Sequence, residues 1–379
     1  MEIKDLNEVC MINMGQSPDS SSYNDKKEGL AFYQGNADFG EIHPTTRVWC
    51  NNPIKIAEKD DILISVRAPI GSMNIANEKC CIGRGLASIK PIDKNECNQN
   101  YLYYFLESKV PYMQSKGTGS TFKAINKGIL TSLQIKLPNI REQEKISSII
   151  SKIKAQIHNK KLQIRKYDEL VKSQFIEMFG DRYSNNRNWE IKQISQVLTF
   201  HNGKAHEQVI DEKGQYILVT SKCISSEGTD IRRTNKDLYP LHTNDIVMVM
   251  SDLPNGKALG KCMLIDEENK YTLNQRICCF DNYKFNPTFL LHLLNRHEYF
   301  LSFDNGNGQT NLRKEQIFQC PLIVPPLDLQ NKFADIVKLT DKLKFRETIT
   351  KLKNLCYNIF NIIQSKNLSE VKKWQTLNI

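Results

Sequence analysis

The chain repeats itself at long range, which restricts it to folds built twice from one plan. EIKDLNEVCMINMGQ, from Glu2, matches EIKQISQVLTFHNGK, from Glu190, at a constant offset. Ile3, Leu6, Val9 and Gly15 fall on Ile191, Ile194, Val197 and Gly203. Four more pairs follow in the same order. KDDILISV (59–66) matches TNDIVMVM (243–250), each an Asp leading into an apolar strand. YLYYFLES (101–108) matches the helical FLLHLLNR (289–296), and KGTGSTFKAINKGIL (116–130) matches NGNGQTNLRKEQIF (305–318). Last, LPNIREQEKI (137–146) matches VPPLDLQNKF (324–333). The residues between the matched segments differ widely, so the sequence reads as a duplication whose copies diverged in their middles.

Each half closes on a long helix. In the first, Ile146, Ile150, Ile153, Ile157, Ile164, Tyr167 and Val171 form a heptad seam that only Lys160 interrupts. In the second, Phe345, Ile349, Leu352, Cys356, Ile359 and Ile363 repeat it. Pro138 and the Pro325–Pro326 pair stop the preceding strand and start these helices. About 35 residues per helix is roughly 50 Å, longer than a small domain is wide, so the two helices are expected to pair with each other rather than each to pack on its own domain. Phe179-Gly180-Asp181 ends the first helix with a C-cap glycine, and RYSNNRN (182–188) reads as a polar linker.

Composition removes several classes. The longest apolar runs, such as 246–250, are about five residues, far below the roughly 18–20 of a membrane helix. The first residues carry no signal-peptide pattern. Eleven cysteines without a CxxC, several in strand-like apolar runs, read as reduced core thiols of a cytoplasmic protein. The net charge of +10 is shared: +6 over residues 1–188 (27 basic against 21 acidic) and +4 over 189–379 (25 against 21). A polyanionic partner, if there is one, is therefore expected to touch both halves.

Two diverged halves, each ending in an LPxxxxQxxI-like junction and a long helix, closely resemble the specificity subunit of type I restriction-modification enzymes. GTGSTFKAI, GNGQTNL, GQSP (15–18) and FIEMFGD (175–181) also resemble that family. The resemblance runs from about Glu2 to about Gln364. It departs at Leu329 and Asn331, where the first junction has Glu142 and Glu144, and at GKAH (203–206), which replaces GQSP. The resemblance implies an α+β chain of two similar target recognition domains, with a pseudo-twofold internal repeat and two long antiparallel helices as a coiled-coil spacer. The division would be 1–140 first recognition domain, 141–180 first spacer helix, 181–188 linker, 189–326 second recognition domain, 327–365 second spacer helix and 366–379 tail. Its partners would be double-stranded DNA, two methyltransferase subunits and translocase-endonuclease subunits. S-adenosylmethionine, ATP and Mg2+ would serve those subunits, with no cofactor in this chain.

The residues themselves offer little chemistry. Asn286-Pro-Thr-Phe289 is near the base-binding motif of adenine methyltransferases, but it lacks a proline and a cofactor loop, and it falls where the repeat needs a helix start. Pro18-Asp19 with Asp25-Lys26-Lys27 is near a nuclease core, but five residues cannot supply two strands. Asn255-Gly-Lys257 lacks the P-loop frame, and the histidines form no HExxH pair. The chain is expected to catalyse nothing alone; the alternative is a self-sufficient restriction endonuclease or methyltransferase with its own recognition domains. Candidate DNA contacts come from loops rich in basic and polar side chains. In the first half they are Gln16, Ser17, Lys26, Lys27, Tyr33, Gln34, Asn36, Arg67, Arg84, Lys116, Thr118, Ser120 and Lys123. In the second they are Lys204, His206, Lys222, Arg232, Arg233, Asn255, Lys257, Gln275, Arg276, Asn305, Gln309, Asn311 and Arg313. Glycine-flanked amides at 117–119 and 306–308 are candidates for phosphate approach.

One scaffold with two different loop sets predicts a split, asymmetric site: two short blocks separated by unspecified bases. A roughly 50 Å helix pair spans on the order of 15 base pairs. Replacing residues 1–136 with the first domain of another family member should change one block only. Sequencing of modified adenines reads the outcome, and a change in both blocks would contradict independent reading.

Overall fold

The computed structural model describes residues 2–119, 123–252, 257–304 and 309–343. The described residues divide into two compact units, one up to Lys161 and one from Leu162 to Leu343. Each unit is built around a four-stranded antiparallel sheet. In the first the order is Cys10–Met14, Leu86–Pro91, Ile62–Ser65, Met73–Ile75. In the second it is Thr199–Asn202, Ile277–Asp281, Ile246–Val249, Cys262–Leu264. The registers coincide once the repeats are aligned. Met11 faces Lys90 as Thr199 faces Asp281, and Ile62 faces Ile89 as Ile246 faces Phe280.

The central strands ILIS and IVMV are buried at all four positions, as strands covered on both faces must be. Ile62 and Ile64 turn to a helical layer with Tyr101, Leu102, Phe105 and Leu106, while Leu63 turns to Ala31, Tyr33 and Ile82 of a second sheet. In the second unit Ile246 and Met248 meet Phe289, Leu290 and Leu293, and Val247 and Val249 meet Val219 and Leu273. That second sheet pairs Leu30–Tyr33 in parallel with Cys80–Ile82, and Tyr216–Val219 in parallel with Tyr271–Leu273. The Asp before each central strand has a structural role. Asp61 accepts from the Glu58 amide (3.1 Å) and Asp245 from the His242 amide (2.8 Å), and burial pushes both carboxyls up.

The junction motif is explained by one side chain. Gln143, fully buried in the first turns of the helix Ile140–Phe179, donates through Nε2 to the carbonyls of Pro138 (2.8 Å) and Glu96 (2.7 Å). Its Oε1 accepts the amide of Asn98 (2.8 Å), the N-cap of the helix Gln99–Ser108. Gln330, in the helix Leu327–Leu343, repeats this. Its Nε2 donates to the Pro325 carbonyl (2.8 Å) and its Oε1 accepts the Asn286 amide (2.8 Å). Asn286 in turn caps the helix Pro287–Leu294 by accepting from Thr288 and Phe289, so the Asn-Pro pair is a helix start, as the repeat required.

The 40-residue helix Ile140–Phe179 gives its apolar seam to both cores. Ile146, Ile150, Ile153 and Ile157 pack in the first unit, and Val171, Phe175 and Phe179 in the second. Ile164 and Tyr167, between those stretches, are only half-buried. At its ends, therefore, the first seam packs onto globular cores. The second seam, from Phe345, lies outside the described residues, as does the tail 366–379. Among the described residues no helix is long and apolar enough to cross a membrane, and ten cysteines are unpaired, nine of them buried.

Residues 181–188, a polar linker by composition, form a tightly bonded corner of the second unit. Gly180 takes the left-handed C-cap conformation at φ +79°. Arg182 donates to the carbonyls of His292, Leu293, Asn295 and Arg296 and pairs with Glu298 at 2.9 Å, capping the end of the helix Pro287–Leu294. Burial, and then the neighbouring Arg182 charge, hold His297 down at about 4. Polarity here marks hydrogen bonding rather than slack.

Gln143→Leu keeps the volume but strands one buried N–H and two carbonyls. It should cost about 2–4 kcal/mol of stability, read as a lowered thermal midpoint. An unchanged midpoint would remove the glutamine from its structural role.

Candidate nucleic-acid interface

In both units three segments meet at one end of the central strand. The turn at Gly15 lies against that at Gly83–Gly85: the Gly15 amide donates to the Leu86 carbonyl (2.8 Å) and the Gln16 amide to that of Ile82 (3.0 Å). Gly203 and Lys204 repeat this with Ile277 (3.1 Å) and Leu273 (3.0 Å). The approach excludes any side chain, since a Cβ at Gly15 would stand 2.2 Å from the Gly83 carbonyl oxygen and one at Gly203 2.0 Å from that of Asn274. The chain leaving the central strand joins the rim where the Val66 amide donates to the Gly85 carbonyl (2.9 Å) and the Met250 amide to that of Arg276 (3.1 Å). A third segment closes it, with Ile125 donating to Val66 (2.9 Å) and Leu312 to Met250 (2.8 Å).

The two units share this backbone but mount different side chains on it. The first rim carries exposed Gln16, Arg67, Arg84, Thr118 and Lys123, with Ser17 half-buried and its Oγ accepting the Arg84 amide (3.3 Å). The second carries exposed Lys204, Gln275, Arg276, Gln309, Asn311 and Arg313. There Gln309 Nε2 donates to Ser251 Oγ (2.9 Å) and Asn311 Oδ1 (3.0 Å). Gln34 and Asn36 line, with Arg67, a cleft of about 690 Å3 in the first unit. Arg47 also lines it, and no feature of the sequence singles that residue out.

Other candidates sit elsewhere. Lys26 and Lys27 follow the short strand Tyr23–Asn24, with the Lys27 ammonium 6.0 Å from the Trp49 ring centre. Lys116 stands 5.6 Å from the Tyr112 ring centre. Lys222 is on the short helix Ser221–Ser225, and Arg232 and Arg233 are on the strand Arg232–Thr234. Lys257 is exposed, its carbonyl accepting from Arg296 (2.8 Å). Ser120, Asn255, Asn305 and the amides 306–308 lie outside the described residues.

Two expected contacts are corrected. Tyr33 is fully buried, its hydroxyl paired with Thr46 Oγ1 at 2.7 Å, because the alternation of its strand turns it into the core. His206 is also fully buried, its ring bonded to the Lys204 carbonyl (2.7 Å) and Thr272 Oγ1 (3.2 Å). Both support the rim from beneath. Asp19, from the nuclease-like segment, caps a turn: it accepts from the Ser21 amide (2.9 Å) and hydroxyl (2.7 Å), and these bonds hold its carboxyl below the usual range. Among the described residues no group of three His, Cys, Asp or Glu is placed to hold a metal ion.

Comparison with known proteins agrees with the twofold plan. The family described as the type I restriction modification DNA specificity domain matches twice, over residues 1–166 and 186–355. A Methanocaldococcus jannaschii protein assigned as the specificity subunit of the type I restriction enzyme MjaX is 47% identical over 142 residues. That match covers 38% of this chain and 33% of the relative. The MjaIX specificity subunit of the same organism is 24% identical over 330 residues, 79% of this chain and 75% of the relative. The crystal structure of a type I restriction-modification S subunit from M. genitalium shares the fold, with a TM-score of 0.55 over 95% of this chain and 94% of that one, at 15% identity.

Gly203→Ala should force the two rim turns apart and destabilise the second unit by about 1–3 kcal/mol. At Gly35 an added Cβ meets open space, so Gly35→Ala should stay within about 0.5 kcal/mol. Thermal melting of the two variants tests the contrast, and equal effects would contradict it.

Proposed function

The chain belongs to the type I restriction-modification DNA specificity family, and from that premise we propose that its two units read the two blocks of a split, asymmetric DNA site for partner subunits. The observation that carries this reading is the rim: one backbone framework, built twice, presents Gln16, Arg67, Arg84 and Lys123 in one unit and Lys204, Gln275, Arg276 and Asn311 in the other. Basic side chains there fix register on phosphates, and the amides and guanidiniums are suited to base edges. The basic excess in both halves agrees with contact at both ends.

In this reading the recognition domains are 1–140 and 189–326. The helices 141–180 and 327–365 form an antiparallel spacer that fixes the gap between the blocks. Two methyltransferase subunits, with translocase-endonuclease subunits, supply all catalysis together with S-adenosylmethionine, ATP and Mg2+, in the cytoplasm. The rival, a self-sufficient nuclease or methyltransferase, has no observation in its favour.

Mapping methylated adenines in cells that carry the chain with its methyltransferase partner tests the proposal. The expected outcome is a motif of two unlike blocks with a fixed gap, bound in vitro with an affinity that falls steeply as salt rises. A continuous palindrome, or methylation by the purified chain alone, would overturn it.

A further inference from the structure

The cleft beside the first rim holds two arginines in different electrostatic states. Arg47 Nη2 donates to Asp38 Oδ1 and to the Ala37 carbonyl (3.1 Å). The Asp38 side chain is only 11% exposed, and its other oxygen accepts the amides of Gln34 (2.7 Å) and Gly35 (3.3 Å). A buried carboxylate, itself pinned by two backbone N–H groups, thus fixes the guanidinium and cancels its charge. Arg47 remains 58% exposed, and its Nε and Nη1 donate to nothing among the described residues. Arg67, which also lines the cleft, is exposed and forms no ion pair among the described residues.

We propose that Arg47 reads a guanine in the block recognised by the first unit, and that Arg67 contacts a phosphate. The inference rests on the DNA-reading function above. Phosphate binding is driven by net charge and counterion release, to which a neutralised guanidinium contributes little. Base edges are neutral and are read by direction. Arginine is a donor only, and guanine presents two major-groove acceptors, O6 and N7. Because Asp38 orders the side chain before DNA arrives, less rotamer freedom is lost on binding. Arg67 retains its full charge, which suits a phosphate.

The test uses the full chain assembled with its methyltransferase subunits. The wild-type site is mapped first; a wild-type complex without a preferred site would overturn the DNA-reading function itself, before any variant is made. Binding is then measured for wild type, Arg47→Ala, Arg47→Lys and Arg67→Ala on the mapped site and on every single-base-pair variant of it, across a salt series. Both Arg47 variants should lose about ten-fold or more discrimination at one G·C pair of one block, with the salt slope unchanged. Arg67→Ala should weaken all sequences alike and reduce the slope by about one. The inference fails if Arg47→Ala weakens all sites alike with a reduced slope, or leaves every base preference intact. It also fails if Arg47→Lys, which can keep the Asp38 pair, retains the guanine preference. A matching thermal midpoint for Arg47→Lys and wild type separates lost reading from lost folding.

Discussion

Two buried glutamine amides set the geometry from which the rest of each unit follows. Where the chain leaves the strand Gln134–Leu137 at Pro138 and enters a helix at Ile140, backbone groups are left in the interior, where an unpaired one is costly. Gln143 has two donors and an acceptor on one planar group, and uses them on Pro138, Glu96 and Asn98. The strand exit, the start of the long helix and the cap of the preceding helix are thereby tied to a single point. That tie sets which face of the helix meets the sheet, so Ile146 and Ile150 land on the core rather than in solvent. Gln330 does the same for Phe333 and Val337. The helix arms could diverge freely elsewhere, as Leu329 and Asn331 do, while this amide stayed.

The rim shows a similar division between what the backbone needs and what the surface carries. Its hydrogen bonds run almost wholly between main-chain atoms, so side chains such as Arg84 and Lys204 are free to differ. The glycines at 15, 85 and 203 are constrained, by carbonyls too close to admit a Cβ. An architecture of that kind can change its recognition without changing its fold.

Much of this was legible in the chain, and the exceptions have physical causes. The duplication, the central strands, the Asn-Pro helix start and most rim segments follow from order and periodicity. Tyr33 and His206 were misplaced because a polar residue in a mixed loop resembles a surface residue until its strand's facing is known. Arg47 was missed because nothing local marks it: its partner Asp38 lies nine residues away, and the cleft exists only once the strands beside it pair. The corner at Arg182 looked like a linker because its partners, the carbonyls at 292–296, are more than a hundred residues distant. The first seam satisfied a heptad, yet a heptad face serves a globular core as well as a partner helix, and its two ends lie on cores.

The amino-acid sequence by itself determined that one α+β unit is used twice and that each use ends in a long helix. These properties rest on local periodicity and on the order of segments, which survive divergence. Tertiary structure alone decided which polar side chains face outward, and which arginine is neutralised and which keeps its charge. Those outcomes depend on contacts between residues far apart in the chain, and no spacing rule encodes them. A guanidinium's electrostatic character, and with it what it can recognise, is set by the carboxylate that folding places beside it.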